Sequence, residues 1–456
     1  MCEQVLARAL RRGGTFAEIF YEDTRSFHMT LRSRKIERAS VSRPRGAGVR
    51  IYDGLRSIYV YTCDVTLSGL LRAADRAAAA VTDTRGTGTD VVLHEKTFTD
   101  MHPVRMSALA ADAGARADIL RAADSAARGV SPRITQVNAG LIAKEQHVII
   151  ANSEGLFTGD TRTYTRLTCS AIASDGTENQ TGTDNPGARM GFELFSTRVD
   201  PAASGEKAAR TAVTMLDAPY CSAGEMPVVI AGGFGGVIFH EACGHSLEAT
   251  SVEPGMSEFA GKLGQPIAAP CVTAIDDGTM PGEWGSENID DEGTPTTRLV
   301  LIENGVLKNY MIDRLNGRKM GMAPTGSGRR ESYAYAPTSR MRNTFIAEGN
   351  DDEEEMLRTM GDGLYAAQMG GGSVNPATGE FNFAVQEGYL VKDGKIATPV
   401  RGASLIGKGS EILMRIDRVG RHMTMGQGMC GSSSGSVPTN VGQPTIRVSR
   451  LTVGGK

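Results

Sequence analysis

No stretch of this sequence stays apolar for long enough to cross a bilayer. The most apolar run, Pro227 to Phe239, is short and broken by glycines, whereas a spanning helix takes about 20 mostly apolar residues. The N-terminal segment has no hydrophobic core of the secretory kind either, because Glu3, Arg8, Arg11 and Arg12 fall within it. Neither sign of charge is in excess: 49 Lys and Arg stand against 52 Asp and Glu, a net −3. That leaves no electrostatic footprint for nucleic acid or an anionic membrane surface. The seven cysteines are an odd number and include no C-x-x-C pair, which fits a reduced cytoplasmic setting better than a disulfide framework. Tryptophan occurs once, at Trp284, while glycine occurs 56 times, a balance that points to many turns and strands. The expectation is a soluble cytoplasmic protein that binds neither nucleic acid nor membrane. At 456 residues it is long enough for two or three domains.

The pattern of apolar residues gives an α+β fold. Residues 2–12 read as a short helix stopped at Gly13-Gly14. Strands follow over Phe16 to Tyr21, Phe27 to Val41, Gly46 to Gly54 and Ser57 to Thr62, then helices over Leu67 to Val81 and Met106 to Ala127. Further strands are expected over Ile134 to Ile142, His147 to Asn152 and Thr161 to Ala173, and a helix over Pro201 to Leu216. The polar segment Asp175 to Gly187 reads as a loop or hairpin tip. Gly224-Glu225-Met226-Pro227 breaks the chain, so an N-terminal α+β domain is assigned to 1–220, divisible near 105–130. A β-rich C-terminal domain carrying a metal-binding helix takes 221–456. In it, Asn304-Gly305 and Asp393-Gly394 mark two hairpins. The acidic run Asp351 to Glu355 suits the start of a helix over Met356 to Tyr365. The glycines of 232–236 lack the G-K-[ST] ending of a phosphate loop and read as sites of close backbone packing.

Chemistry concentrates in Phe239-His240-Glu241-Ala242-Cys243-Gly244-His245. Two imidazoles, common donors to divalent zinc, flank a carboxylate that sits where it can take a proton from water at a metal. The pattern is HExxxH, one residue longer than the HExxH of zinc peptidases. An α-helix turns about 100° per residue, so positions i and i+4 lie about 40° apart but i and i+5 about 140°. Both histidines reach one ion only if the helix carries a π-type turn or ends between them, and Gly244 permits such a distortion. A catalytic zinc usually has three protein ligands and an open position. Cys243, Glu248, His422 and Cys430 are the candidates for the third. Cys243 would crowd three ligands into six residues, and Glu248 lies one turn past His245. Glycines on both sides of Cys430 would let a loop present its thiolate. Spacing favours Cys430, then Glu248, and leaves the choice open.

Further stretches accompany this motif: Ile275-Asp276-Asp277-Gly278-Thr279, Asp290-Asp291-Glu292-Gly293-Thr294-Pro295-Thr296, Met320 to Gly326, Gly328-Arg329-Arg330-Glu331-Ser332-Tyr333, Gly370-Gly371-Gly372, Cys430-Gly431 and Leu451 to Gly455. With them the chain resembles the TldD/PmbA metallopeptidase family, in its catalytic form. The likeness is strong from about residue 225 onward and looser before it, where Gly46 to Arg50 fits. It implies zinc held by His240, His245 and Cys430, with Glu241 as the catalytic base. It also implies a dimer, formed either with a second copy or with a homologous TldE/PmbA-type subunit that lacks the zinc motif. Relatives often carry a charged residue where this chain has Ser432.

The expected reaction is hydrolysis of peptide bonds in flexible or unfolded peptides, which exposed strand edges near the site would accept as an added strand. Arg329, Arg330 and Tyr333 are candidate substrate-binding and oxyanion-stabilising groups, with structural salt bridges the competing use of the arginines. Two alternatives belong to other classes: a peptide-binding or assembly protein with a structural metal, and a zinc hydrolase of non-peptide amides. An intact Glu241 and an open coordination position weigh against a structural metal, which is normally closed by four ligands.

Overall fold

The structure is a computed structural model that describes residues 1–82, 90–375 and 377–456. The first half is built on one nine-stranded sheet. Its centre consists of three long strands, Phe16–Arg32, Ile134–Asn152 and Leu156–Ser174, paired antiparallel in that order. These strands run longer than the apolar pattern predicts. The first continues to Arg32, turns at Ser33-Arg34 and returns as Lys35–Ser42. Both turn residues have positive φ, 50° and 66°, the geometry of a two-residue type I′ turn. Neither is glycine, so the turn carries no signal in sequence. Ile134–Asn152 runs unbroken through the polar Lys144-Glu145-Gln146 because polar groups there meet polar partners: Gln146 Nε2 donates to Glu22 Oε1 at 3.1 Å inside the protein.

Two helix pairs cover this sheet. Cys2–Leu10 and Leu67–Ala79 lay Val5, Leu6, Ala73 and Ala77 against Ile19, Val49 and Ile51. Ala113–Val130 and Pro201–Asp217 lay Leu120, Ala123, Ala208 and Ala212 against Met29, Leu141 and Leu167. The helix expected from Met106 starts at Ala113, where Asp112 accepts from the Gly114 and Ala115 amides and fixes the N-terminus. Of the segment expected as a loop or hairpin tip, 175–187, residues 175–178 are the tip and Asn179–Asp184 is the returning strand, folded back onto Leu156–Ser174.

The second half holds a seven-stranded and a six-stranded sheet. They share one core, to which Val228, Leu364 and Val448 come from the first sheet and Ala274, Leu301 and Val441 from the second. Val237, Ile238 and Phe239, on the helix Val237–Ala242, sit in the same core. Burial of this apolar face, at about 25 cal/mol per Å² removed from water, anchors a helix too short to persist alone. Both expected hairpin turns are present, with φ of 49° and 82° at Asn304-Gly305 and 48° and 73° at Asp393-Gly394. The returning arm of the first is only Val306–Leu307. The helix expected to reach Tyr365 is Glu353–Arg358, followed by Gly361 at a φ of 76° and the strand Gly363–Asn375.

Buried ion pairs join the two halves. Arg50 meets Glu292 at 2.6 Å, Arg162 meets Asp291 at 2.6 Å, and Arg330 meets Glu18 at 2.7 Å. Such pairs add little net stability over apolar packing, but losing one partner strands a charge out of water.

Candidate metal centre

The chain enters the centre through the strand Gly224–Ile230 and a 3₁₀ turn, Phe234–Gly236. Gly236 abuts the backbone of Gly442, where a Cβ would come within 2.5 Å of the amide nitrogen. These glycines serve close packing, as the sequence suggests. The helix then ends at Ala242. Cys243 takes φ −130° and ψ −45°, and a new 3₁₀ turn, Gly244–Leu247, carries His245. Of the two ways to reconcile HExxxH with one metal, the chain uses a helix that stops between the histidines. Gly244 opens the second turn, at the distortion the sequence leads one to expect there, but not through a positive φ. It makes room instead, since a Cβ there would lie 2.3 Å from Met341 Sδ.

This break turns both imidazoles toward Cys430, which lies on the strand Thr424–Ser432. The Cys430 sulfur is 3.3 Å from His240 Nε2 and 3.3 Å from His245 Nε2. The rings meet edge to face, with centroids 5.0 Å apart and planes at 80°. The three donor atoms lie within 4.8 Å of one another. The set fits zinc in kind and spacing. Two imidazoles and a thiolate are typical zinc donors, and tetrahedral coordination at usual bond lengths sets N and S about 3.6 Å apart. Burial alone raises the Cys430 thiol, but His240 and His245 outweigh it and bring its pKa down to about 3. Burial likewise opposes charge on His245, and Glu248 with the Cys430 sulfur overcomes it, raising that pKa well above the usual imidazole value.

The other ligand candidates lie elsewhere. Cys243 is buried in the apolar core. His422 has a side chain 82% exposed and faces Glu353. Glu248 accepts a hydrogen bond from His245 Nδ1 at its Oε2, 3.1 Å away. It orients one imidazole from behind, as carboxylates beside metal-site histidines commonly do. The buried Nδ1 of His240 has no hydrogen-bond partner among the described residues. Glu241 lies beside the cluster and reaches solvent: its side chain is 26% exposed, with Oε2 3.6 Å from His245 Nε2.

Thr424–Ser432 is the edge strand of its sheet, paired on one side with Gly435–Gln443. Two side chains not singled out in the sequence support it. The indole N–H of Trp284 donates to the Gly428 carbonyl at 2.8 Å. Arg166 donates to the Gln427 carbonyl at 2.9 Å while its guanidinium lies 5.3 Å from the centre of the Trp284 ring. Along this strand runs a cleft of about 1360 Å³, lined by Gly232–Gly235, residues 424–429 and the Glu206, Lys207 and Arg210 side chains.

Arg329, Arg330 and Tyr333 lie apart from the cluster in their hydrogen bonding. Arg329 donates to Glu287 at 3.1 Å and to the Met341 carbonyl at 2.6 Å. Arg330 donates to Glu18 at 2.7 Å and to the Asp291 carbonyl at 2.8 Å. Both guanidiniums are buried, so their charge is spent inside the protein. Tyr333 keeps some exposed surface; its ring meets Tyr61 edge to face at 6.2 Å. Arg330→Met is therefore expected to cost about 1.5–3 kcal/mol in urea unfolding, because Glu18 keeps Arg50 at 2.6 Å but loses its second charged hydrogen-bond partner. Wild-type stability in that variant would count against a structural role for the pair.

Fold and site together define a candidate metal-dependent hydrolase built on a mixed α/β chain. The chain belongs to the PmbA/TldD metallopeptidase family. Models described as PmbA/TldA metallopeptidase domain 1, central domain and C-terminal domain match residues 17–81, 107–216 and 223–455. It is 34% identical over 451 residues to a protein of Haemophilus influenzae named Metalloprotease TldD homolog, a match covering 96% of this chain and 93% of that one. A protein of the same name from Buchnera aphidicola is 32% identical over 448 residues, covering 96% and 92%. The crystal structure of TldE from Thermococcus kodakarensis shares the fold, with a TM-score of 0.77 at 19% identity and full coverage of both chains.

Proposed function

We propose that this protein is a zinc metallopeptidase acting on flexible or unfolded peptides, with His240, His245 and Cys430 as ligands and Glu241 as base. The observation that carries this is the meeting of two imidazole nitrogens and one sulfur within 4.8 Å, beside Glu241, in a chain whose relatives are named metalloproteases. When bound, zinc supplies a Lewis acid that polarises the scissile carbonyl and acidifies water. The protein's own groups do the rest. Glu241 receives the proton of the attacking water on its carboxylate and returns it to the leaving amine. Glu248 holds His245 in one tautomer and orientation. The cleft along the edge strand Thr424–Ser432 has room for an extended peptide to lie beside that strand, a mode that reads backbone more than side chains.

The dimer, either of two copies or with a TldE/PmbA-type subunit, is part of this proposal on the family resemblance alone. No described helix is long and apolar enough to cross a membrane; the cytoplasmic location proposed here rests on the odd, scattered cysteines. The catalytic half is taken as residues 221–456, following an N-terminal half of 1–220.

The test is a panel of unstructured peptides and small amides, assayed with and without a chelator. Peptide cleavage is expected to disappear on chelation and return with zinc. Cleavage that persists in metal-stripped protein, or cleavage of the amides alone, would overturn the proposal.

A further inference from the structure

We infer that Arg340 is the positioning residue of the metal centre, one guanidinium that holds the His245–Glu248 side and the Cys430 side in register. The inference rests on the ligand assignment above. The two sides come from distant parts of the chain, Glu248 and Cys430, and Arg340 lies between them with its side chain fully out of water.

Its contacts divide accordingly. Nη2 donates to the Cys430 carbonyl. Nη1 donates to the Gly435 carbonyl at 2.8 Å and to Ser434 Oγ at 3.0 Å. The guanidinium thus clasps both arms of the hairpin that presents the sulfur. On the other side, Nε has no hydrogen-bond acceptor among the described residues and stands 3.9 Å from Glu248 Oε1. The same Glu248 oxygen accepts from the Met341 amide at 3.3 Å, while Oε2 accepts a hydrogen bond from His245 Nδ1. A buried carboxylate needs a nearby opposite charge, and Arg340 supplies it. With Glu248 fixed, His245 keeps Nδ1 as donor and turns Nε2 to the sulfur.

Lysine cannot replace this arrangement. Guanidinium presents five N–H donors in a rigid plane, whereas an ammonium is a single point charge on a flexible stem. Arg342, two residues on, provides the contrast. It is equally buried, but it pairs with Asp276 at 2.7 Å and donates to the Gly326 carbonyl at 2.9 Å. Its side chain has no described contact with Glu248 or the Cys430 hairpin; only its backbone carbonyl meets that hairpin, accepting from the Asn440 amide at 3.0 Å.

The experiment compares full-length wild type, Arg340→Lys, Arg342→Lys, Ser434→Ala and Cys430→Ser by competition of the protein with a chromophoric zinc chelator. Cobalt-substituted samples are read by the thiolate-to-cobalt charge-transfer band. Arg340→Lys is expected to weaken zinc binding by about 10–100-fold, the usual cost of losing an outer partner of a ligand, and to alter the cobalt band. Arg342→Lys lowers the melting temperature but leaves zinc affinity and the band as in wild type. Ser434→Ala, which removes one acceptor from Arg340 without emptying the core, weakens binding by about 2–5-fold, a fraction of what one hydrogen bond to a charged group contributes. It keeps the question decidable should Arg340→Lys fail to fold. Wild-type zinc affinity in either Arg340→Lys or Ser434→Ala, or an equal loss in Arg342→Lys, overturns the inference. Cys430→Ser separates this failure from that of the underlying assignment: if it retains zinc, the ligand set is wrong and the inference falls with it.

Discussion

Replacing Cys430 by serine is expected to empty the metal centre while leaving the chain folded. The side chains are close in size, and the position is on a paired strand whose register does not depend on the sulfur. What changes is the donor. Cys430 is a thiolate at neutral pH in this setting, held at a pKa of about 3 against the pull of burial, whereas a serine hydroxyl stays protonated and is a poor zinc ligand. Tight zinc sites bind with about 10–16 kcal/mol, so one ligand among three or four accounts for about 3–4 kcal/mol, roughly 10²–10³-fold in affinity. The comparison that gives the result meaning is Cys243→Ala. Cys243 lies nearer to His240 in sequence, but it is fully buried in the apolar core, where desolvation holds its thiol well above its ordinary pKa. That variant should keep its zinc. Metal content after gel filtration reads both, and the opposite pattern, zinc kept without Cys430 and lost without Cys243, would reverse the assignment of the third ligand.

How much of this centre can be read from sequence depends on distance along the chain. His240, Glu241 and His245 are adjacent enough for helix geometry to state their problem and its two solutions, and a helix ending at Ala242 is one of them. Cys430 is far away, so spacing gives a preference and the family resemblance names the ligand. Arg340, Trp284 and Arg166 carry no local signal at all. A buried arginine beside a carbonyl and an exposed arginine beside water have the same letter and the same neighbours in sequence. Only the packing of Thr424–Ser432 against the Trp284 indole shows what the chain's one tryptophan does. The same limit explains the strand ends. Ser33-Arg34 adopts positive φ without glycine, and Lys144 to Gln146 continue a strand because polar partners from other segments, Ser107 and Glu22 among them, meet them. By contrast Asn304-Gly305 and Asp393-Gly394 are legible because the residue types themselves favour the turn.

Glu241→Gln is expected to retain zinc and peptide binding and to lose hydrolysis by about 10²–10⁴-fold, the range that a positioned acid–base group contributes. The amide has the shape of the carboxylate but cannot take a proton, so the variant removes one property only. Geometry argues that the loss falls on turnover and not on the metal. Glu241 Oε2 is 3.6 Å from His245 Nε2, and the side chain is 26% exposed, which gives it access to water beside the cluster. Glu248, seven residues on, has the opposite character: it is buried, and it accepts from the far nitrogen of His245. Glu248→Gln should therefore weaken zinc binding first and lose turnover only as the metal is lost, so that added zinc rescues it. Added zinc should not rescue Glu241→Gln. Turnover of a peptide by both variants, measured across zinc concentrations together with binding of the same peptide, separates a base from a positioning carboxylate. A Glu241→Gln protein that holds zinc and cleaves at the wild-type rate would leave the carboxylate without a part in the chemistry. The proton would then have to be carried by another group, and the peptidase mechanism proposed for this site would fail at its first step.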